Sequence, residues 1–183
     1  IYLNKNEKVK DIYNLVELYP DFIHLDLIDK TFSGKDESPY FENLKLIKKL
    51  WPTHKIHLHI MSTKPEKYIE NIIDFTDLIF VHYEVYLEKY KLFEEIIKIK
   101  NKKIGIALHV KNNYEELNYL PNNINEILIL AINNPGISGQ VFDNRTHGLI
   151  NKLNVFPDRK KFNITIDGGI NEKLISKLNC ERV

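Results

Sequence analysis

The stretch Phe22-Ile23-His24-Leu25-Asp26-Leu27-Ile28-Asp29 decides the fold prediction, because it places polar side chains inside a short apolar run. In a β-strand, residues two apart leave the same face, so His24 and Asp26 are expected side by side. An imidazole and a carboxylate on the inner face of a buried strand are costly unless a metal ion, a proton relay or another polar group satisfies them. A structural hydrogen bond between the two is the simpler alternative. The choice depends on whether similar polar residues recur elsewhere in the chain.

Apolar runs alternate with amphipathic segments along the rest of the sequence. Period-two or fully apolar patterns predict strands at residues 22–29, 56–61, 78–82, 103–108, 126–132 and 162–166. Helical spacing and capping residues predict helices at 7–19, 41–50, 63–75, 87–98, 114–120, 147–153 and 171–178. Residues 30–40 and 133–140 are predicted loops. Residues 1–3 are expected to end a partial first strand, and an eighth strand is expected to begin at Val183.

Fully apolar strands separated by single helices indicate a parallel sheet covered on both faces, either an open doubly wound sheet or a closed barrel. Nearly every strand ends in polar or glycine residues, among them His24, Asp26, His59, His82, Asn133, Asn134 and Asp167. A barrel brings all these ends to one mouth, whereas an open sheet brings only a few together. We therefore predict an α/β fold of the (β/α)8 TIM-barrel type, compact or with incomplete first and last strands. Residues 1–183 are taken as one domain.

Composition narrows the class of protein. With 43% hydrophobic and 28% charged residues, the chain has the balance of a soluble globular protein rather than a disordered one. A formal net charge of +1 gives no reason to expect nucleic acid as a partner. No apolar run reaches the roughly 20 residues that span a bilayer. The only cysteine, Cys180, cannot form an internal disulfide, so a cytoplasmic location is expected.

Two histidines and two carboxylates stand at the predicted strand ends, namely His24, Asp26, His59 and Asp167. This mixture of nitrogen and oxygen donors suits zinc, iron, manganese or cobalt without selecting one. Taken singly, His59 can be a core histidine and Asp167 a helix cap. Their joint occurrence at one end of a barrel favours a divalent metal site.

Two glycine loops suggest a second feature. The segments Pro135-Gly136-Ile137-Ser138-Gly139 and Asp167-Gly168-Gly169 each precede a predicted helix. Glycine allows backbone N–H groups to approach an anion closely, and helix N-termini favour phosphate. Loops that follow the later strands of a barrel often hold a substrate phosphate.

These motifs resemble the ribulose-phosphate 3-epimerase family. The family pattern H-[LIV]-D-[LIV]-M-D-G is matched by residues 24–30, and D-x-H-[LM]-M-V-x-x-P by residues 57–65. Residues 82–84 match H-x-E, residues 133–142 match V-N-P-G-F-G-G-Q-x-F, and residues 167–170 match D-G-G-[IV]. The order and spacing hold over essentially the whole chain. The resemblance implies a barrel of the ribulose-phosphate-binding type.

The resemblance also implies a metal-dependent isomerase that inverts C3 of a ketose phosphate, with ribulose 5-phosphate to xylulose 5-phosphate as the default reaction. His24, Asp26, His59 and Asp167 become the ligands of one divalent ion, and Asp26 and Asp167 also the acid–base pair. Loss of a proton beside the ketone forms an enediolate, whose charge a divalent cation stabilises. The implied substrate contacts are His59, Met61, Gly136, Ile137, Ser138, Gly139, Gly168 and Gly169. A homo-oligomer, a dimer or higher, is expected.

The pocket wall departs from the family pattern. Lys30 replaces a glycine, Ile28 replaces a methionine, and Ala131 stands where another methionine is usual. His109-Val110-Lys111 replaces a proline-containing turn, no first-strand serine is matched, and the Gly-Ser of the eighth strand is expected past Val183. These changes fit a divergent member acting on another ketose phosphate at least as well as they fit the pentose enzyme, with Lys30 and Lys35 either meeting an extra anionic group or remaining solvated.

Two other functions compete with epimerisation. A sugar-phosphate lyase or decarboxylase of a related barrel family usually places a carboxylate and a lysine near the second and third strands, and the pair of histidines argues against it. A non-catalytic relative that binds a sugar phosphate is the other alternative.

Overall fold

The fold is a parallel β-sheet flanked by helices, seen in a computed structural model that describes residues 1–34, 39–112, 117, 120 and 123–183. Six strands follow one another in sequential order within one sheet. They are β1 (Phe22–Ile28), β2 (Lys55–Met61), β3 (Leu78–His82), β4 (Lys103–His109), β5 (Glu126–Leu130) and β6 (Asn163–Asp167). All five pairings are parallel, so the six strands predicted between residues 22 and 166 are confirmed in position and direction.

The helices follow the predicted alternation, with several changes in their bounds. They are α1 (Val9–Val16), α2 (Lys30–Ser33), α3 (Glu42–Leu50), α4 (Glu66–Ile72), α5 (Tyr83–Glu88), α6 (Tyr90–Lys100), α7 (Arg145–Asn154) and α8 (Glu172–Ile175). The 30–40 segment is therefore not loop throughout, because α2 forms where Asp29 caps it. One helix predicted at 87–98 is instead two, which meet at Lys89. The helix predicted at 114–120 spans positions outside the described residues, and Lys35 also lies outside them.

The sheet is strongly curled. In a flat sheet, five strand spacings of about 4.8 Å would separate β1 from β6 by roughly 24 Å. Side-chain atoms of Asp26 on β1 and Asp167 on β6 instead lie within 4.8 Å of each other. The six strands thus form a curled half-barrel of the TIM-barrel-like kind.

Each edge of this sheet carries one further bridging residue. Tyr2 bridges to Asp26 beside β1, and Arg182 bridges to Thr165 beside β6, both in the parallel sense. These are the positions at which the first and eighth strands were predicted. Closure into eight full strands stays a prediction.

The two faces of the sheet have different cores. Outward-facing side chains of β1, such as Leu25 and Leu27, are fully buried in the large cluster beneath the helices. The inner face has a smaller apolar cluster of Leu78, Phe80, Ala107, Leu128 and Leu130. Gly105 makes room for it, since a Cβ there would stand 2.5 Å from the Phe80 ring. Polar side chains on the inner face above this cluster therefore lie against a buried apolar surface.

No helix among the described residues has the length and apolar character needed to cross a membrane.

Candidate metal centre

The four predicted ligands converge at the C-terminal end of the sheet. His24, Asp26, His59 and Asp167 each offer one donor atom, and these atoms all lie within 4.8 Å of one another. His24 and Asp26 share the inner face of β1, Asp26 pairs in register with His59 of β2, and Asp167 is the last residue of β6. The strand alternation and the curl of the sheet together produce the cluster. Strand spacing alone predicted each side chain's face.

Three of these donor atoms have no other partner. His24 Nε2 lies 3.5 Å and His59 Nδ1 3.4 Å from Asp26 Oδ1, yet all three atoms are buried without a hydrogen bond among the described residues. Buried polar atoms without partners are costly, and a divalent cation would satisfy them together. The nitrogen and oxygen donor set therefore fits the transition metals predicted, without selecting among them.

Two of the simpler alternatives, a short hydrogen bond between His24 and Asp26 and a helix cap at Asp167, are not observed, whereas His59 is fully buried, as a core histidine is. The separations between Asp26 and the two histidines exceed hydrogen-bond geometry, so the pair is not a satisfied structural contact. Asp167 does not cap the helix that follows it, because the Asn171 side chain accepts from the N–H groups of Lys173 and Leu174 instead.

The pKa values of the two carboxyl groups in the cluster shift in opposite directions. Burial acts to raise the pKa of Asp26, but His24 and His59 beside it outweigh burial and hold this pKa below its ordinary value. Burial raises the pKa of Asp167, and the charge of Asp26 raises it further. Burial acts to lower the pKa of His24, but Asp26 raises it overall. A pair of carboxyl groups with pKa values pushed apart is suited to acid–base chemistry.

His59 has a polar partner on its other side. Its Nε2 lies 3.1 Å from Nε2 of His82, the last residue of β3, and the two rings are stacked with centroids 5.1 Å apart. His82 is 3% exposed, and its ring packs 4.3 Å from that of Phe32 on α2. Burial lowers the pKa of His82 well below its usual value. Sequence reasoning noted His82 as a polar strand end and as part of the H-x-E match, without assigning it a role.

Asp29, which sequence reasoning left without a role, organises the loop after β1. Its carboxylate accepts from Thr31 N at 2.9 Å, Ser62 Oγ at 2.6 Å and the Tyr68 hydroxyl at 2.9 Å. This arrangement caps α2 and ties it to the segment after β2. The sequence signal was the aspartate itself, since Asp is one of the preferred residues at a helix N-cap.

Tyr2 is a second residue that sequence reasoning missed. Its bridge to Asp26 places it at the edge of the sheet next to the cluster. Burial, and then the negative charges of Asp26 and Asp167, raise the pKa of Tyr2 to about 12. The phenol therefore remains a hydrogen-bond donor at neutral pH.

Most of the predicted substrate contacts come from β2 and from the loop that follows β5. Met61, 2% exposed, follows His59 on the inner face of β2. Gly136 lies over Ile28, since a Cβ there would stand 3.0 Å from the Ile28 side chain. The Gln140 side chain donates to the carbonyl groups of Asn134 and Ile137, which fixes the loop that also contains Ser138 and Gly139.

The two glycine loops are neighbours. Gly136, Gly139, Gly168 and Gly169 all have positive φ, a conformation that favours glycine. A Cβ on Gly169 would stand 2.4 Å from the Phe142 nitrogen, so the loop after β6 packs directly on the segment that follows the first glycine loop. Both loops thus border one region, and their capacity to hold an anion stays a prediction.

A cavity of about 340 Å³ opens at the same end of the sheet. Its lining includes Phe32, His109, Lys111, Gly136 and Ile137. Two of these, His109 and Lys111, belong to the segment at the end of β4 where the sequence motifs predict a departure from the family pattern.

A curled parallel α/β sheet with a two-histidine, two-aspartate group that could hold a metal ion at its C-terminal end defines a protein of the TIM-barrel-like class. Residues 2–182 match the model of the "Ribulose-phosphate 3 epimerase family", and the chain belongs to this family. It is also 26% identical over 179 residues to a protein of Schizosaccharomyces pombe (strain 972 / ATCC 24843) named "Ribulose-phosphate 3-epimerase", a match that covers 91% of this chain and 72% of that protein.

Proposed function

We propose that this protein is a metal-dependent epimerase that inverts C3 of a ketose phosphate, with D-ribulose 5-phosphate as the default substrate. The convergence of His24, Asp26, His59 and Asp167 within 4.8 Å, three of them with an unpartnered donor atom, carries this proposal. Membership of the epimerase family supports it. The proposal treats residues 1–183 as one barrel domain that binds one divalent ion.

In the proposed reaction Asp26 is the base and Asp167 the acid for one direction. Asp26 has the lowered pKa and accepts the proton from C3, whereas Asp167 has the raised pKa and delivers a proton to the other face. The two carboxyl groups reach the centre from opposite edges of the curled sheet, which suits attack on opposite faces of a planar intermediate. A bound divalent cation supplies electrostatic stabilisation of the developing negative charge.

The surrounding residues are assigned to substrate binding. Met61 covers the reacting carbons and excludes water, and His59 orients the substrate beside the cluster. The backbone N–H groups of residues 136–139 and 168–169 are proposed to bind the phosphate, as glycine loops of this kind often do.

The decisive experiment follows hydrogen exchange at C3. The metal-loaded protein is incubated with D-ribulose 5-phosphate in D₂O, and NMR is used to detect deuterium at C3 and formation of xylulose 5-phosphate. The proposal expects both signals in the wild type and neither in Asp167→Asn, with the fold retained by circular dichroism. Exchange without that product would point to another epimer or substrate. Absence of exchange with any ketose phosphate, or full turnover by Asp167→Asn, would overturn the proposal.

One observation favours testing a second substrate in parallel. The cavity wall has Lys111 and His109 where the family turn contains proline, and Lys111 Nζ contacts only an amide oxygen, that of Asn134, at 3.4 Å among its described side-chain contacts. A longer ketose phosphate can place an additional polar group there. The same exchange assay with a ketohexose 6-phosphate, in wild type and Lys111→Gln, tests this choice by the ratio of kcat/KM for the two substrates.

A further inference from the structure

The contact between His59 and His82 links the proposed metal site to a third buried histidine. Their Nε2 atoms are 3.1 Å apart, and one of them must donate while the other accepts, because a hydrogen bond uses one proton and one lone pair. The geometry of the cluster decides which. His59 Nδ1 faces Asp26 Oδ1 at 3.4 Å and belongs to the four-donor group, so its lone pair is needed for a cation.

A neutral imidazole with its lone pair on Nδ1 carries its proton on Nε2. His59 Nε2–H therefore donates, and His82 Nε2 accepts. Since His59 is fully buried and His82 is 3% exposed, water cannot readily replace this partner. The ring of His82 is itself held by Phe32, 4.3 Å away, on the helix that Asp29 caps.

We propose that His82 is a positioning residue for metal binding: by accepting from His59 Nε2–H it fixes the tautomer and the ring orientation that present His59 Nδ1 to the cation. Partners of this kind usually are carboxylates or backbone carbonyls, and their removal typically weakens metal affinity by about 10–100-fold. In this chain an imidazole takes that place. The inference rests on the proposed metal site and adds a residue outside its four ligands.

Two substitutions of His82 distinguish its role as a hydrogen-bond acceptor from its role in packing. His82→Gln offers a carbonyl oxygen that can accept from His59, whereas His82→Leu fills a similar volume and accepts nothing. His109→Leu is the matched control, since His109 is also a buried histidine at the end of a strand but its Nε2 contacts the Ile132 carbonyl oxygen. Each protein is stripped with a chelator, checked by circular dichroism, and titrated with Co²⁺ in competition with a metal indicator.

The expected result is a loss of Co²⁺ affinity of about 10–100-fold in His82→Leu, substantial recovery in His82→Gln and no change in His109→Leu. The visible spectrum of bound Co²⁺ should shift in His82→Leu alone, since a reoriented imidazole alters the ligand field. A purely structural His82 would lower the melting temperature of the metal-free protein but leave these two readouts unchanged. Wild-type affinity in folded His82→Leu, or an equal loss in both His82 variants, would overturn the proposal.

The unmodified protein gives an independent measurement if a variant fails to fold. In the Zn²⁺-loaded wild type, ¹⁵N NMR of the histidine rings should show the proton of His59 on Nε2 and that of His82 on Nδ1. A proton on Nε2 of His82 would overturn the assignment. Failure of the wild type to bind any divalent ion would overturn the proposed function as well, whereas binding by the wild type with an unaffected His82→Leu overturns the role of His82 alone.

Discussion

Metal binding should shift the effect of the Asp167→Asn substitution on stability in favour of the wild type. In the metal-free protein, Asp167 places a second carboxyl group within 4.8 Å of Asp26 on the dry inner face of the sheet. Two unit charges at that separation repel by about 3.5 kcal/mol at an effective dielectric constant of about 20. Asn removes this repulsion while keeping the size of the side chain. We therefore expect metal-free Asp167→Asn to be as stable as the wild type or more stable, by up to about 3 kcal/mol.

Addition of Co²⁺ should shift the stability difference by about 2.3 kcal/mol toward the wild type. A ligand at about 100 times its Kd stabilises the folded state by about 2.7 kcal/mol. In a domain of this size, each kcal/mol shifts Tm by about 2–4 °C, so the wild type should gain about 5–11 °C. If loss of one of the four donors weakens binding about 100-fold, the same Co²⁺ concentration stabilises the variant by only about 0.4 kcal/mol, or about 1 °C.

Differential scanning calorimetry of both proteins, with chelator and with Co²⁺, measures all four values. Asp143→Asn is a matched control, because Asp143 pairs with Arg145 outside the cluster and its loss should leave the Co²⁺-induced rise intact. A rise in Asp167→Asn equal to that of the wild type would refute the inclusion of Asp167 among the ligands. Greater stability of the metal-free wild type over the variant would refute the electrostatic reasoning.

Three further predictions concern the loops that frame the site. Asp29→Ala should lower the free energy of unfolding by about 3 kcal/mol in urea at neutral pH, because three donors lose a buried acceptor. The folded pKa of Asp29 lies below 3.8, so the stability difference between wild type and variant should narrow as the pH falls below that value. A stability difference that stays unchanged in acid would contradict this role. Burial and the Asp29 carboxylate raise the pKa of Tyr68 from 10.0 to about 12, so the stability that Tyr68 contributes should be complete below pH 10 and lost as the pH rises to about 12. Tyr68→Phe should remove this loss of stability at alkaline pH. An unchanged alkaline loss in the denaturation curves of Tyr68→Phe would contradict the assignment. Gly169→Ala should lower the free energy of unfolding by about 3 kcal/mol, because φ is positive and the added Cβ overlaps Phe142. Gly34→Ala should lower it by only about 1 kcal/mol, because Gly34 has the same φ of +70° but open space around it. Equal losses in urea unfolding would contradict the close packing of the two loops.

The strands and the faces of the candidate metal ligands were predictable because both depend on local pattern. Period-two or fully apolar runs located all six strands, and the two-residue spacing of His24 and Asp26 fixed their common face. The curl that brings Asp167 to them needed the assumption of a barrel, and the family motifs supported that assumption.

The features that sequence reasoning missed depend on contacts between distant residues. Asp29 accepts from Ser62 and Tyr68, which lie 33 and 39 positions further along the chain, and no local pattern specifies these partners. The pairing of His59 with His82 likewise requires β2 and β3 to lie side by side. The break between α5 and α6 falls at Lys89, without a glycine or proline to mark it.

The cluster also joins the two margins of the six-stranded sheet. β1 supplies two of its donors and β6 a third, although these strands lie at opposite ends of the strand order. A cation bound there would cross-link β1 to β6 and close a long loop of chain, which stabilises the folded state by reducing the entropy of the unfolded chain. Chelation should therefore speed amide hydrogen exchange mainly in β1 and β6, while β3 and β4, paired on both sides, stay protected.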